Sequence, residues 1–268
     1  MPTVSLTPAL RGEYERLFNE CRVRPARAAA VNAAVDRIVA QRARYESVSA
    51  ATGVPWHVIA VIHNMERSLS FAHHLHNGDP LTARTVQVPA GRPKTGRPPF
   101  TWEASAIDAL AVRGLGASTD WSLAGTLYQL EGYNGWGYRL YHPHVRSPYL
   151  WSFSSHYTSG KYAADGVWSE TLVSQQCGTA VLLRRLAERG VAAFADQPPP
   201  APGDVPLVVR YAKRKPTSAD VLAAAETLQR WLNTFPGVFV KADGWPGEKT
   251  SDAWRTVTGH YLPGDPRG

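Results

Sequence analysis

The feature of this chain that points most directly to chemistry is one carboxylate at the end of an apolar helical pattern. The segment GVPWHVIAVIHNMERSLSF (53–71) spaces apolar residues close to the i, i+3, i+4 pattern of a buried helix and ends that pattern at Glu66. A carboxyl group there must be neutral, paired or hydrogen-bonded, because burying its charge is costly. Desolvation raises the pKa of a carboxyl, and glycosidic bond cleavage requires a protonated acid. We therefore expect Glu66 to be a general acid, with a helix-end Glu paired to an Arg as the alternative.

Other reactive side chains give weaker patterns. Cys21 and Cys177 lie far apart without metal-ligand spacing, which favours two buried free thiols over a structural disulfide. The stretch FAHHLHNGD (71–79) holds three histidines but lacks the helical His pair with an intervening acid that zinc peptidases use. We predict a polar loop on the substrate side there, no metal site and no cofactor.

Composition indicates an ordinary globular protein with room for one medium domain and a small second one. The 268 residues are 44% hydrophobic and 19% charged, with a formal net charge of +7. A basic balance suits a polyanionic partner, either nucleic acid or an anionic cell wall. The basic residues are dispersed, apart from a KRK run at 213–215, and no nucleic-acid motif is visible. Charge alone therefore selects no partner.

Hydrophobic periodicity predicts a mainly α-helical body with one small β element. Predicted elements are one or two helices within 8–51, a short strand at TVQV (85–88), an aromatic Gly-rich loop over 132–160, and helices at about 54–67, 101–114, 120–131 and 162–189. The helix over 54–67 carries the candidate acid near its end. The fold must therefore open a substrate cleft at that point.

A Pro-rich run divides the chain. DQPPPAPGDVP (196–206) predicts an extended, semi-rigid linker between a domain over 1–195 and a domain over 207–268. Past the linker, SADVLAAAETLQRWLN predicts an amphipathic helix with Ser218 as its N-cap, and a second helix follows at about 248–259. The tail therefore forms a compact unit of its own.

The helix that carries Glu66 resembles the first motif of lytic transglycosylases and goose-type lysozymes, within the lysozyme-like superfamily. In that family, an apolar helix ends in a catalytic Glu that is followed directly by Ser. Here Arg67 intervenes and Ser68 falls one place late, which weakens the role of Ser68 more than that of Glu66. The resemblance covers about residues 45–190 and implies a lysozyme-like α+β domain.

Two further segments resemble motifs of the same family in the same order. TVQVP resembles the G-L-M-Q segment without its Gly and Met, and EGYNGWGYR resembles A-Y-N-A-G. The resemblance implies that Gln87 and Asn134 hydrogen-bond acetamido groups and that Tyr133 flanks the cleft. Tyr162, with Tyr157 as competitor, matches the late tyrosine that closes the cleft over the acid.

The resemblance implies cleavage of the β-1,4 bond between N-acetylmuramic acid and N-acetylglucosamine, with Glu66 protonating the leaving oxygen. An inverting hydrolase needs a second carboxylate roughly 6.5–9.5 Å away to activate water. A lytic transglycosylase needs none, because the C6 hydroxyl of the substrate attacks. Asp79 is the best second carboxylate, with a turn-forming Asp as the alternative. Glu103 and Glu131 are weaker candidates, and Glu131 is alternatively a supporting group behind the site.

The tail resembles a peptidoglycan-binding domain of the short three-helix type, with the signature L-Q-x-x-L-N followed by D-G-x-x-G-x-x-T-x-x-A. The matching residues are Leu228, Gln229, Leu232, Asn233, Asp243, Gly244, Gly247, Thr250 and Ala253. Gly244 and Gly247 permit a tight loop with positive φ, and Asp243 can hydrogen-bond the loop backbone. We therefore expect these residues to shape the fold rather than to touch glycan.

The expected partner is peptidoglycan, with no nucleic acid, no membrane insertion and a monomeric state. Arg67 and Arg139 are candidates for contacts with anionic peptide stems, with solvated arginines as the alternative. Two other functions stay open: a non-catalytic wall-binding protein on a lysozyme scaffold, and a chitinase-like enzyme. The wall-binding protein needs no catalytic acid, and the chitinase-like enzyme acts on a glycan that contains no muramic acid.

The N-terminal residues MPTVSLTPALRGEYERL contain no apolar h-region and no small-residue cleavage site. We therefore expect synthesis in the cytoplasm without a signal peptide, and action on the cell wall in the periplasm or outside. An endolysin released through a phage holin fits this expectation. So does an effector injected by a secretion machine, while a wall-remodelling enzyme of the host ranks third.

Overall fold

The computed structural model describes residues 4–164, 166–194, 209–235 and 237–268. The described chain is mainly α-helical with one small sheet, which confirms the expected class. It divides into two compact units, Met1–Tyr14 with Cys21–Leu183, and Glu15–Glu20 with Arg184–Gly268. The predicted linker lies outside the described residues, so the predicted domain boundaries stay a prediction.

Eleven α-helices, one 3₁₀ turn and one antiparallel hairpin make up the described elements. In chain order they are α1 (Pro8–Glu20), the 3₁₀ turn (Pro25–Arg27), α2 (Ala28–Ala40), α3 (Arg42–Thr52), α4 (Trp56–Arg67), α5 (Trp102–Val112), α6 (Leu123–Asn134), α7 (Gly137–Tyr141), α8 (Pro148–Trp151), β1 (Lys161–Ala164), β2 (Val167–Ser169), α9 (Thr179–Glu188), α10 (Ala219–Leu232) and α11 (Glu248–Thr258). Tyr162 pairs with Trp168 across the hairpin.

Helix α4 is the centre of the first unit, as its apolar pattern predicts. Most of its side chains are buried, and it packs against α3 and α2. Gly53 ends α3 at a φ of 75°, where a Cβ would lie 2.5 Å from the Cβ of Ala117, so only glycine fits this turn. At its other end α4 stops because Ser68 and Leu69 take left-handed φ values of 47° and 65°. Glu66 is therefore held within one residue of the helix end.

Helices α5 and α6 confirm two predicted helices, and each begins at a hydroxyl N-cap. The side chain of Thr101 accepts from the N–H of Ala104, and that of Ser122 accepts from the N–H of Gly125. Such caps satisfy backbone donors that the first helical turn leaves free. Their positions explain why these two helices start close to where the sequence predicts.

The strand predicted at TVQV is wrong. The backbone N–H groups of Val86 and Gln87 both donate to Oδ2 of Asp79, over 2.7 and 3.0 Å. Donors used by a side chain cannot join a strand ladder, so the segment folds as a loop. The apolar alternation of TVQV predicted a strand without accounting for this carboxylate seven residues upstream.

The helix predicted over 162–189 is also wrong in its first half. Lys161–Ala164 and Val167–Ser169 are the strands of the hairpin, and the helix begins only at Thr179. Gly166 takes a φ of 71°, the left-handed conformation that a tight hairpin turn requires. The expected loop over 132–160 likewise contains α7 and α8, because short helices leave little periodic pattern in a sequence.

In the second unit, α10 and α11 confirm both helices predicted for the tail. Ser218 occupies the N-cap position, but its side chain accepts no capping hydrogen bond. Of the three helices that the resemblance implies, the described residues after 208 contain these two. Their shared core includes Leu228, Leu232 and Val257.

Cys21 and Cys177 are both buried free thiols, as predicted. Burial raises the pKa of the Cys177 thiol well above its usual range, so this thiol stays protonated and unreactive. Within the described part of the chain, no helix is both long and apolar enough to cross a membrane.

Candidate active site

Glu66, near the end of α4, lines a cleft of about 590 Å³. The walls of the cleft come from the α4 end, the α6–α7 junction over residues 134–138, the start of α8, the β1–β2 hairpin and the segment at 174–176. Asn134 and Tyr162 line the same cleft. The structure thus brings together three of the predicted site residues, far apart in sequence, around one opening.

The environment of Glu66 favours the protonated carboxyl. Burial raises the pKa of Glu66 to about 7, against the opposing effects of the Arg113 cation and of a hydrogen bond from Tyr149. That bond is long, with the Tyr149 hydroxyl 3.4 Å from Oε1, so it compensates little of the desolvation. Near neutral pH, a large fraction of the Glu66 side chains can therefore donate a proton.

Two stacked tyrosines lie next to the acid. The rings of Tyr133 and Tyr149 are 6.5 Å apart at an interplanar angle of 23°, and Cζ of Arg113 lies 4.5 Å from the Tyr133 ring centroid. Burial raises the pKa of both phenols, so both stay neutral. Tyr133, predicted to flank the cleft, is a buried residue that stacks on Tyr149, and Tyr149 itself lines the cleft.

Of the two competing late tyrosines, it is Tyr162 that lines the cleft. The hydroxyl of Tyr157 donates to the backbone oxygen of Gly160 over 3.2 Å and accepts from the N–H of Ser174 over 3.1 Å. Both partners are backbone groups, and Tyr157 is buried. Tyr157 therefore fixes the chain on either side of the hairpin.

Asp79 and Gln87 are not among the described residues that line the cleft. Hydrogen bonds from the N–H groups of Gln87 and Val86 lower the pKa of Asp79, so it is ionised at neutral pH. Asn77 adds a bond from its amide nitrogen to the same carboxylate oxygen over 3.1 Å. The contacts of Asp79 are those of a turn-forming aspartate, and they place Gln87 in the loop it organises.

Glu103 and Glu131 are both committed to ion pairs. Glu103 contacts Nε of Arg44 over 2.6 Å, near the start of α5. Glu131 is buried, receives two hydrogen bonds from Arg139 over 3.1 and 2.9 Å, and accepts a third from the Tyr14 hydroxyl. Among the described residues that line the cleft, Glu66 is consequently the only carboxylate.

The residue that separates Glu66 from Ser68 is tied to the following loop. Nε and a terminal nitrogen of Arg67 donate to the backbone oxygen of Gly78 over 3.0 and 2.8 Å. Gly78 precedes the turn that Asp79 organises. Arg67 therefore links the end of α4 to that loop. Its side chain is exposed, but like that of Arg139 it is hydrogen-bonded within the protein.

The histidine-rich stretch forms a hydrogen-bonded cluster. Nδ1 of His74 lies 2.7 Å from Oγ of Ser105 and its Nε2 lies 2.8 Å from the backbone oxygen of Ala83. Nε2 of His76 lies 2.7 Å from the carboxylate of Asp108. Across the described ranges, no group of three or more His, Cys, Asp or Glu side chains is placed to hold a metal ion.

In the second unit, Gln229 organises the loop before α11. Its side chain is 1% exposed, and its Oε1 accepts from the N–H groups of Asp243 and Gly244, each over 2.9 Å. Its Nε2 donates to the backbone oxygen of Trp245 over 2.9 Å and to Oγ1 of Thr250 over 3.0 Å. A buried amide with this many partners has a structural role.

Two other signature residues act in the same way. Asn233 exchanges both of its amide hydrogen bonds with the backbone of Val240, over 2.8 and 2.7 Å. Gly244 takes a φ of 75°, and a Cβ there would lie 2.9 Å from the backbone oxygen of Leu222. These contacts agree with the expectation that the signature shapes the fold.

Sequence reasoning missed several residues near the acid: Arg113, Tyr149, Lys161 and Gln176. Gln176 donates from Nε2 to the backbone oxygen of Met65 over 2.9 Å, a contact between residues 111 positions apart. No local motif marks such a pair. Of these four residues, only Lys161 could have been placed from the sequence, because KYAADGVWS carries the Asp-Gly signal of a hairpin.

Comparison with protein-family models, curated proteins and solved structures gave no significant match to this chain. The motif resemblance to lysozyme-like enzymes therefore stays a prediction. Any assignment of function depends on the residues and geometry of the cleft.

Proposed function

We propose that this chain cleaves the glycan strands of peptidoglycan at the β-1,4 bond between N-acetylmuramic acid and N-acetylglucosamine, with Glu66 as the general acid. The observation that carries the proposal is a carboxyl group with a pKa raised to about 7 at an open cleft. Such a group delivers a proton to the leaving oxygen as positive charge develops on the sugar.

The other cleft residues suit an aminosugar chain. Asn134 offers an amide for an acetamido group, and Tyr162, packed edge-on against the buried ring of Tyr138, offers an aromatic surface for a sugar ring. Lys161 adds a cation for the carboxylates of the lactyl group or the peptide stem. A lysozyme-like arrangement of the first unit is part of this proposal.

The lytic transglycosylase course is the better supported of the two outcomes, because Glu66 is the only carboxylate among the described cleft residues. In that course Glu66 protonates the leaving oxygen, and its carboxylate then takes the proton of the C6 hydroxyl as that oxygen attacks C1. The product is a 1,6-anhydro end. A muramidase is the second candidate; it would need Asp79 or another carboxylate to act on water or on the sugar.

The second unit would retain the enzyme on the wall. Since its signature residues serve the fold, contact with glycan would fall on other side chains of that unit. The proposed site of action is the cell wall, reached by release through a holin or by injection.

The test uses purified sacculi with wild type, Glu66→Gln and, as a matched control, Glu103→Gln. We expect wild type and the Glu103 variant to release soluble fragments, and Glu66→Gln to lose roughly two to four orders of magnitude in rate. Equal clearing by wild type and Glu66→Gln would leave only a wall-binding protein. Product masses separate the two courses, since an anhydro end weighs one water less than a reducing end. Comparable turnover of chitin oligomers would favour the chitinase-like alternative.

A further inference from the structure

The segment between Pro80 and Phe100 combines basic charge with exposed apolar side chains. It contains Arg84, Arg92, Lys94 and Arg97 and no Asp or Glu. Within it, Val86 is 81% exposed and Val88 is 89% exposed. Both exceed every other aliphatic side chain among the large exposed hydrophobics of the described residues. We call residues 84–97 the basic loop.

Hydrogen bonds inside the basic loop hold the two valines outward. Thr85 is buried, and its backbone exchanges bonds with the oxygen of Arg92 over 2.8 Å and the N–H of Gly91 over 2.7 Å. Its hydroxyl donates to the oxygen of Pro89 and accepts from the N–H of Arg92 over 2.9 Å. Since Asp79 binds the next two N–H groups, the backbone around the valines is fixed on both sides.

Two of the four cations are engaged and two face solvent. Arg92 pairs with Asp108 over 3.2 Å, and Arg84 donates to the backbone oxygen of Gly96 over 2.9 Å. Lys94 and Arg97 are exposed, and neither has a partner among the residues that the structure describes. The bond from Arg84 to Gly96 ties the stretch that carries Lys94 and Arg97 to the residue two positions before Val86.

We propose that the basic loop binds the surface of an anionic phospholipid bilayer, with Val86 and Val88 at the acyl boundary and Lys94 and Arg97 at the lipid phosphates. A bilayer surface presents negative charge and apolar chains within a few ångströms, which matches this pairing. An anionic wall polymer would use the cations and leave the valines in water. The proposal concerns peripheral contact and does not depend on catalysis by Glu66.

The test is sedimentation with vesicles of phosphatidylcholine alone or mixed equally with phosphatidylglycerol. We expect wild type to bind only the mixed vesicles, and binding to weaken as salt rises. Lys94→Gln with Arg97→Gln should bind roughly 25-fold more weakly. Val86→Ser with Val88→Ser should bind roughly tenfold more weakly. Thermal melts matching wild type show that these surface changes leave the fold intact.

Two matched controls keep the charge and apolar effects separate. Val167→Ser changes another exposed valine, and Lys213→Gln with Lys215→Gln changes the other basic run of the chain; both should bind the mixed vesicles like wild type. Failure of wild type to sediment with mixed vesicles overturns the proposal. Full binding of the mixed vesicles by the variant with Val86→Ser and Val88→Ser also overturns it. So does a variant with Lys94→Gln and Arg97→Gln that loses binding to sacculi but keeps binding to vesicles. Either result indicates a polyanion recognised by charge alone.

Discussion

The Tyr149 hydroxyl donates to Oε1 of Glu66, and its ring stacks on Tyr133 next to Arg113. Burial raises the pKa of Tyr149, so the phenol keeps its proton. As a donor to Oε1, it favours the carboxylate over the acid. At 3.4 Å this bond is weak, and desolvation dominates the pKa of Glu66. The acid is thus held near the middle of its titration at neutral pH.

Glu66→Gln should stabilise the fold, and more so at alkaline pH. The folded pKa of about 7 exceeds the ordinary value of 4.5, so folding favours the protonated carboxyl, and that contribution is lost as the pH rises through about 7. Glutamine has no charge to bury. The stability advantage of Glu66→Gln over wild type should widen by on the order of 2–3 kcal/mol between pH 5 and pH 8.5, as measured by urea unfolding.

Asp79→Asn serves as a control, because its effect on folding stability should change with pH in the opposite direction. The pKa of Asp79 is lowered in the folded protein, so its contribution is present above the ordinary pKa and lost as the pH falls through the folded value. The variant should be less stable than wild type at neutral pH, and the difference should shrink below pH 4. The same trend with pH in both variants would contradict the two assignments.

Arg113→Met should move the alkaline limb of the pH–rate profile upward. The Arg113 cation favours the ionised form of Glu66, so its removal leaves the acid protonated to higher pH. Because Arg113 is exposed, we expect a shift of roughly half a pH unit, which shrinks at high salt. Arg113→Lys should stay near wild type. Arg146→Met, another exposed arginine, serves as control, and an identical shift in that variant would refute a specific effect.

Glu131→Gln should destabilise the first unit by about 3 kcal/mol, because it leaves the half-buried Arg139 with Glu13 as its remaining anionic partner. Glu103→Gln breaks a more exposed ion pair with Arg44 and should cost about 1 kcal/mol or less. Urea unfolding at pH 7 measures both. Equal losses would mean that Glu131 has no special role in the fold.

Gln229→Ala should destabilise the second unit by about 3 kcal/mol. The substitution leaves the N–H groups of Asp243 and Gly244 and the oxygen of Trp245 without their buried partner. Amide hydrogen exchange should rise first in the loop over 237–247. Arg230→Ala, on the exposed side of the same helix, should leave exchange in that loop unchanged. Loss of wall binding with unaltered exchange would instead place Gln229 in contact with ligand.

The sequence patterns correctly predicted the structural features that depend on residues close together in the chain. Helix α4 and the position of Glu66 within it follow from apolar spacing, and α5 and α6 follow from spacing and hydroxyl caps. The buried thiols and the structural use of the tail signature followed in the same way from residue type and spacing. For the three helices, the deciding residues lie within a few turns of one another.

The remaining features depend on partners that sequence spacing does not reveal. Tyr149 meets Glu66 across 83 positions, and Gln176 meets Met65 across 111. TVQV has the alternation of a strand, but the carboxylate of Asp79 takes two of its donors. In each case a side chain from another element decides the outcome, and neither periodicity nor propensity carries that information.

The burial that keeps Glu66 protonated near neutral pH also makes this side chain unfavourable for the stability of the fold at alkaline pH. A library selected only for survival of heat in alkaline buffer, with no demand for turnover, should therefore replace this side chain early with an amide or an aliphatic group. Sequencing the survivors would show whether the proposed general acid is the position that is lost, without any substrate having been identified.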